Sequence, residues 1–198
     1  MTSPRAAYEN PYWFEYTKPH AFDPDEVEAL CRIGFNTIQA TRNLSVLWNS
    51  DELEGKESPH WEYPLLIDIH QRSAEIELSR ILLKLAVAYR ALDDQLKVYE
   101  PFVAFREKQL KAFGAFLTVY SEGEIRDCLR ETCNKIIHAE DVRITYGHND
   151  EEDEKRVWHM TNTVELQGRF RSEKWSISFQ VLDFFEAMLE TVQFTLSN

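Results

Sequence analysis

Residues 122–141 read EGEIRDCLRETCNKIIHAED, and this stretch decides the fold. On a helical repeat, Ile125, Leu129, Thr132 or Cys133, and Ile136 line up as an apolar stripe, which predicts a helix ending at His138. A second row, Arg126, Arg130, Asn134 and His138, recurs at four-residue spacing. Side chains four apart stack on one helix face, so the row sets guanidinium, amide and imidazole groups in one line. Beyond His138 the period changes from helical to alternating.

That change defines a small sheet. Val142, Ile144 and Tyr146 alternate with Arg143 and Thr145, predicting a short strand. GHNDEEDEK (147–155) follows as an acidic turn. A returning strand alternates Val157, His159, Thr161 and Thr163 with Trp158, Met160 and Asn162, and either continues through Phe170 or bends at Gly168. RSEK (171–174) reads as an exposed turn, and Trp175, Ile177 and Phe179 as another strand. Val181, Phe184 or Phe185, Met188, Leu189 and Val192 predict a closing helix over 181–195.

Toward the N-terminus the pattern is helical. Ser121 can cap the helix at Glu122. A helix after Pro101 uses Phe102, Phe105, Leu110, Phe113, Phe116 and Leu117. Leu78, Ile81, Leu82, Leu85, Tyr89, Leu92 and Leu96 carry the strongest periodicity, predicting a long central helix from Leu65 or Asp68 to Leu96. Its other side carries Glu75, Glu77, Arg80, Lys84 and Arg90, which reads as a solvated, salt-bridged face. Asp23-Pro24-Asp25-Glu26 is a strong start for a first helix running to about Trp48: a capping acid, a proline suited to the first turn, and acids matched to the dipole. NSDELEGKESPH (49–60) is a polar loop. Residues 1–22, with Tyr8, Tyr12, Trp13, Phe14, Tyr16 and Phe22, read as an aromatic arm lying on the chain's own surface or gripping a partner. The prediction is a mainly α single domain over 1–198. An antiparallel helical bundle (23–140) is followed by a small antiparallel sheet (141–180), inserted before the last helix.

Composition narrows the function. The chain has 198 residues and a net charge of -12, from 34 acidic against 22 basic residues. That balance argues against general nucleic-acid binding, which rests on a basic footprint, but leaves room for a local basic patch. Cys31, Cys128 and Cys133 lack metal-ligand spacing and form an odd set, so reduced thiols in a cytoplasmic protein are expected. No segment approaches a membrane span, and no Gly-rich phosphate loop or nucleophile elbow occurs. The acidic turn lacks the calcium-loop pattern, and His148 with His159 would need further ligands to hold zinc. No cofactor and no metal are expected.

The row on the 122–138 helix can carry chemistry. An imidazole beside an arginine can act as acid or base while the guanidinium stabilises developing phosphoryl charge. The candidate catalytic residues are His138, Arg130 and Asn134, with Arg126 and Lys135 as binding residues. The structural alternative is that His138 merely satisfies carbonyls at a helix C-terminus.

The string CNKIIHAEDV (133–142) resembles the motif region of the HEPN (higher eukaryotes and prokaryotes nucleotide-binding) superfamily. Active members carry an Arg, often followed by Asn, and then a His a few residues on. Asn134, Lys135 and His138 match that form, while the leading Arg position is Cys133. The resemblance implies a homodimer whose motif helices face each other around an RNA-cleaving cleft. A thiol cannot replace the fixed charge and donor fork of arginine. The expectation is therefore a non-catalytic member that binds a ligand or scaffolds a protein partner. The alternative is a metal-independent endoribonuclease, of toxin or defence type, in which Arg130 supplies the missing charge.

Overall fold

A computed structural model describes residues 22–49, 64–113, 117–118, 129–148 and 158–197. Its elements are α1 (Pro24–Asn49), α2 (Pro64–Leu96), α3 (Glu100–Phe113), β1 (Leu117–Thr118), α4 (Leu129–His138), β2 (Asp141–His148), β3 (Trp158–Phe170), β4 (Glu173–Gln180) and α5 (Val181–Ser197). The chain is mainly helical, with a small antiparallel sheet before its last helix. The aromatic arm up to residue 21, the polar loop, Arg126 and most of the acidic turn lie outside the described residues.

The helix starts follow the capping chemistry. Asp23 Oδ1 accepts hydrogen bonds from the Asp25 and Glu26 amides at 3.0 and 3.3 Å, satisfying two of the first-turn donors of α1. The third helix differs from the sequence reading. It starts at Glu100 and ends at Phe113, and Leu117 belongs to β1 rather than to the helix. Two residues of local strand are too short to register as a period, so an apolar run absorbed them.

The sheet order is β1-β4-β3-β2, all antiparallel. Ile144, Val164 and Phe179 form one cross-strand row, and Val142, Leu166 and Ile177 the next. These rows face the helices. Arg143, Glu165, Gln167 and Lys174 point away to solvent, the alternation expected of a sheet covered on one side. β3 runs unbroken to Phe170, and Arg171 and Ser172 alone form the turn, tighter than the RSEK loop read from sequence.

Between Ile144 and Tyr146 the β2–β3 register shifts by two residues, so Thr161, Asn162 and Thr163 oppose Thr145. The even shift keeps Met160 on the same face as Val164. Asn162, released from the ladder, accepts a hydrogen bond from the Leu182 amide at 2.6 Å and so caps α5.

The core is continuous across helices and sheet. Leu78, Leu82, Leu85 and Tyr89 of α2 meet Val27, Cys31 and Ile38 of α1, Phe184, Phe185 and Met188 of α5, and the apolar sheet face. Truncating one such leucine to alanine costs ~2–5 kcal/mol. Polar pins fix the layers: the Met160 amide donates to Thr41 Oγ1 at 3.2 Å, and Gln109 Nε2 donates to the Ala187 carbonyl at 2.7 Å. Gly34 permits the α1–α5 approach, since a Cβ there would lie 2.4 Å from Phe185 Cζ. Burial, with Glu186 and Glu28 adding to it, pushes the Cys31 thiol up to about 12, which suits a packing role. No described helix is long and apolar enough to cross a membrane.

Candidate functional site

Helix α4 lays Leu129, Thr132, Cys133 and Ile136 into the core. Cys133 is wholly buried and faces the hydrophobic interior rather than solvent. On the outward side, the predicted row divides into two separate environments.

Arg130 lies at the first. It ion-pairs with Asp93, a carboxylate with 0% exposure on α2, and donates from Nη2 to Asp94 Oδ1 at 2.9 Å. Arg106 of α3 reaches Asp93 at 3.0 Å, and Arg90 reaches Asp94 at 3.4 Å. A buried carboxylate is tolerated only when its charge is met, and here arginines from α3 and α4 meet it together. The five groups tie α2, α3 and α4 into one charged junction. Burial, with Arg90 adding to it, pulls the Arg130 guanidinium below its ordinary range.

The second environment is a cleft of about 420 Å³ between α4 and the β3–β4 hairpin, lined by Glu131, Asn134, Lys135, His138, Arg169, Phe170 and Trp175. Here the structure brings Asn134, Lys135 and His138 together and leaves Arg130 outside. Glu131 organises the helix wall: it accepts from Asn134 Nδ2 at 3.2 Å and faces Lys135 Nζ at 3.6 Å. Lys135 also sits over the Trp175 ring, 4.4 Å from its centroid, a cation–π contact. The hairpin wall adds Arg169, whose Nε lies 3.4 Å from Glu140 Oε2, and Phe170, which is two-thirds exposed. Arg171 lies over the Phe170 ring at 5.4 Å.

Gly168 sets the spacing of the two walls. A Cβ there would lie 2.4 Å from Trp175 Cζ2 and 2.9 Å from the His138 carbonyl oxygen. With only hydrogen at this position, the C-terminal end of α4 and the Trp175 indole both come close against the β3 backbone.

The cleft presents two cations, Lys135 beside Glu131 and Arg169 beside Glu140, with a carboxamide and an imidazole next to two aromatic faces. Such a surface can hold a small anion through charge-assisted hydrogen bonds and a flat group against the rings. Sequence reasoning missed Arg169, Phe170 and Trp175, because they reach the site through the hairpin rather than through helical spacing. An exposed Arg-Phe pair at a turn was the available signal.

A second histidine environment lies at the far end of the β2–β3 ladder. His148 packs edge-on against Trp158 at 4.7 Å, and Gly147 pairs with His159. His159 Nδ1 is buried with no hydrogen-bond partner among the described residues. Burial first, then the charges of Arg42 and His148, lower its pKa. No cluster of three metal-binding side chains occurs among the described residues. Comparison with protein-family models, curated proteins and solved structures finds no match to this chain.

Proposed function

We propose that this chain is a cytoplasmic, HEPN-like binding or scaffolding protein without catalytic activity. In this reading its helices form an antiparallel bundle, it works as a homodimer or with a protein partner, and the α4–hairpin cleft holds a small anionic ligand. The observation that carries the reading is the engagement of Arg130 by buried Asp93. A guanidinium committed to a buried carboxylate is not available to stabilise charge beside His138. The burial of Cys133 supports the same view, since an arginine at that position would have to ionise within the core.

A second reading rests on Arg169. This guanidinium lines the same cleft as His138 and Asn134, so a metal-independent endoribonuclease could pair His138 as acid or base with Arg169 in place of Arg130.

The test uses purified protein with a mixed RNA pool and no metal, beside His138→Ala and Arg169→Ala. Intact RNA at high protein concentration is expected. Cleavage that vanishes in both variants would overturn the first reading in favour of the second. Binding is measured with pyrophosphate as probe, followed by tryptophan fluorescence. Lys135→Ala and Arg169→Ala are each expected to weaken it about tenfold, the loss of one charge-assisted contact.

A further inference from the structure

Helix α2 has two apolar faces. Leu78, Leu82, Leu85 and Tyr89 are fully buried in the core. Elsewhere on the same helix Leu65, Ile69, Ile76, Leu83 and Val87 are all exposed, with Ile76 at 54% and Leu83 at 45%. At the α-helical repeat these five side chains fall within about 40° of arc, roughly opposite the core face. Ile69, Ile76 and Leu83 recur every seven residues, the spacing with which one helix offers a seam to another. An exposed row of large apolar side chains of this kind marks an interaction surface. From Ile69 to Val87 it extends about 27 Å along the helix. Beside it runs a groove of about 530 Å³, where Leu30 and Ile33 of α1 add apolar surface next to Glu77, Arg80 and Lys84.

The charges beside the stripe identify the occupant. Exposed Glu77 lies on the same flank of the stripe as the exposed bases Arg80 and Lys84, whereas Glu75 lies on the other flank and accepts a hydrogen bond from Tyr146. An antiparallel copy sets Glu77 against both bases, and opposes the helix dipoles as well.

We propose that α2 packs antiparallel against α2 of a second copy of this chain, about a two-fold axis midway between Ile76 and Leu83. That axis puts Ile76 of one copy against Leu83 of the other, twice, as an isologous contact requires. It leaves Glu77 of one copy within about 3 Å, along the helix axis, of both Arg80 and Lys84 of the other, on the same flank. Glu77 already accepts a hydrogen bond from Thr37 at 3.3 Å, which orients its carboxylate toward the α1 side of the groove. The proposal is independent of the cleft, whose ligand binding is read with variants of α4 and β3.

The test is sedimentation equilibrium of the full chain over a wide concentration range. A monomer–dimer equilibrium is expected, with Ile76→Asp and Leu83→Asp each weakening it at least about tenfold. Their circular dichroism should be unchanged, and their melting should match that of the parent at dilutions where it is monomeric, because both side chains are exposed. Glu77→Lys and Lys84→Glu should each weaken self-association, while an equimolar mixture of the two should regain a heterodimer. A monomer at every concentration would overturn the proposal, as would a dimer indifferent to Ile76→Asp and Leu83→Asp. Failure of the mixture to associate would overturn the antiparallel register.

Discussion

Arg130 of α4 is held by Asp93 of α2, a carboxylate with no solvent exposure that Arg106 also reaches from α3. The pair anchors the helix that forms one wall of the cleft. Arg130→Met should cost about 3 kcal/mol in urea unfolding, because Asp93 would stay buried with half its counter-charge. Adding Asp93→Leu should recover most of that loss, since an apolar replacement of a buried ion pair is close to neutral. A single variant within about 0.5 kcal/mol of the parent would show that Asp93 does not depend on Arg130. The same pair bears on activity assays. An Arg130→Ala protein would lose its helical anchor whether or not arginine took part in chemistry, so Arg169→Ala is the informative substitution.

Gly168→Ala should destabilise the chain by about 1–3 kcal/mol, the range for overpacking a close contact. The added methyl would meet both Trp175 and the His138 carbonyl. Displacing the indole should also disturb the cleft, so pyrophosphate binding should fall together with stability. Unchanged binding would mean that the ring position does not matter to the ligand.

Arg171 has φ of 58° at the first position of its two-residue turn, where glycine is the usual residue. Arg171→Gly should relieve that strain, less the cost of a freer unfolded chain and of the contact with Phe170. A net gain of ~0.5–1 kcal/mol is expected, seen as a higher urea midpoint at constant slope.

His159 has a folded-state pKa below its unfolded value, so the unfolded chain binds the extra proton first as the pH falls. Its contribution to stability is complete above the unfolded value, about 6.5, and declines as acidification proceeds below it. Urea midpoints at pH 7.5 and pH 5 should therefore differ less in His159→Gln than in the parent. Equal differences would assign the acid sensitivity to other groups.

Much of the fold was legible because it follows periodicity. The α2 core stripe, the Asp23–Pro24 start of α1 and the alternation through Val142–Tyr146 and Trp175–Phe179 each repeat one physical requirement several times. The exposed stripe of α2 was not legible as an interface. Arg80 and Lys84 lie among its apolar residues, and a charged helix face reads as solvated whatever else it carries. The split of the Arg130–His138 row was hidden for a different reason: Asp93 is 37 positions away from Arg130. One local clue existed. Asp93 and Asp94 lie near the C-terminal end of α2, which has no basic residue in its last turn. Acids are disfavoured there by the helix dipole; Arg90 of the same helix meets Asp94, and the cations for Asp93 come from α3 and α4.

The Asn162 cap on α5 has a consequence for folding fidelity. A one-residue slip of β3 is self-correcting, because it would turn Val164 and Leu166 out to water. A two-residue slip is not: parity is kept, and the apolar face stays apolar. Hydrophobicity is blind to that error in the pairing of β3 with β4. The hydrogen bond from the Leu182 amide to Asn162 breaks in the slipped register and forms only in the correct one. A single carboxamide thus proofreads the pairing of β3 with β4, and the Leu182 amide of the closing helix is satisfied only after those two strands have aligned.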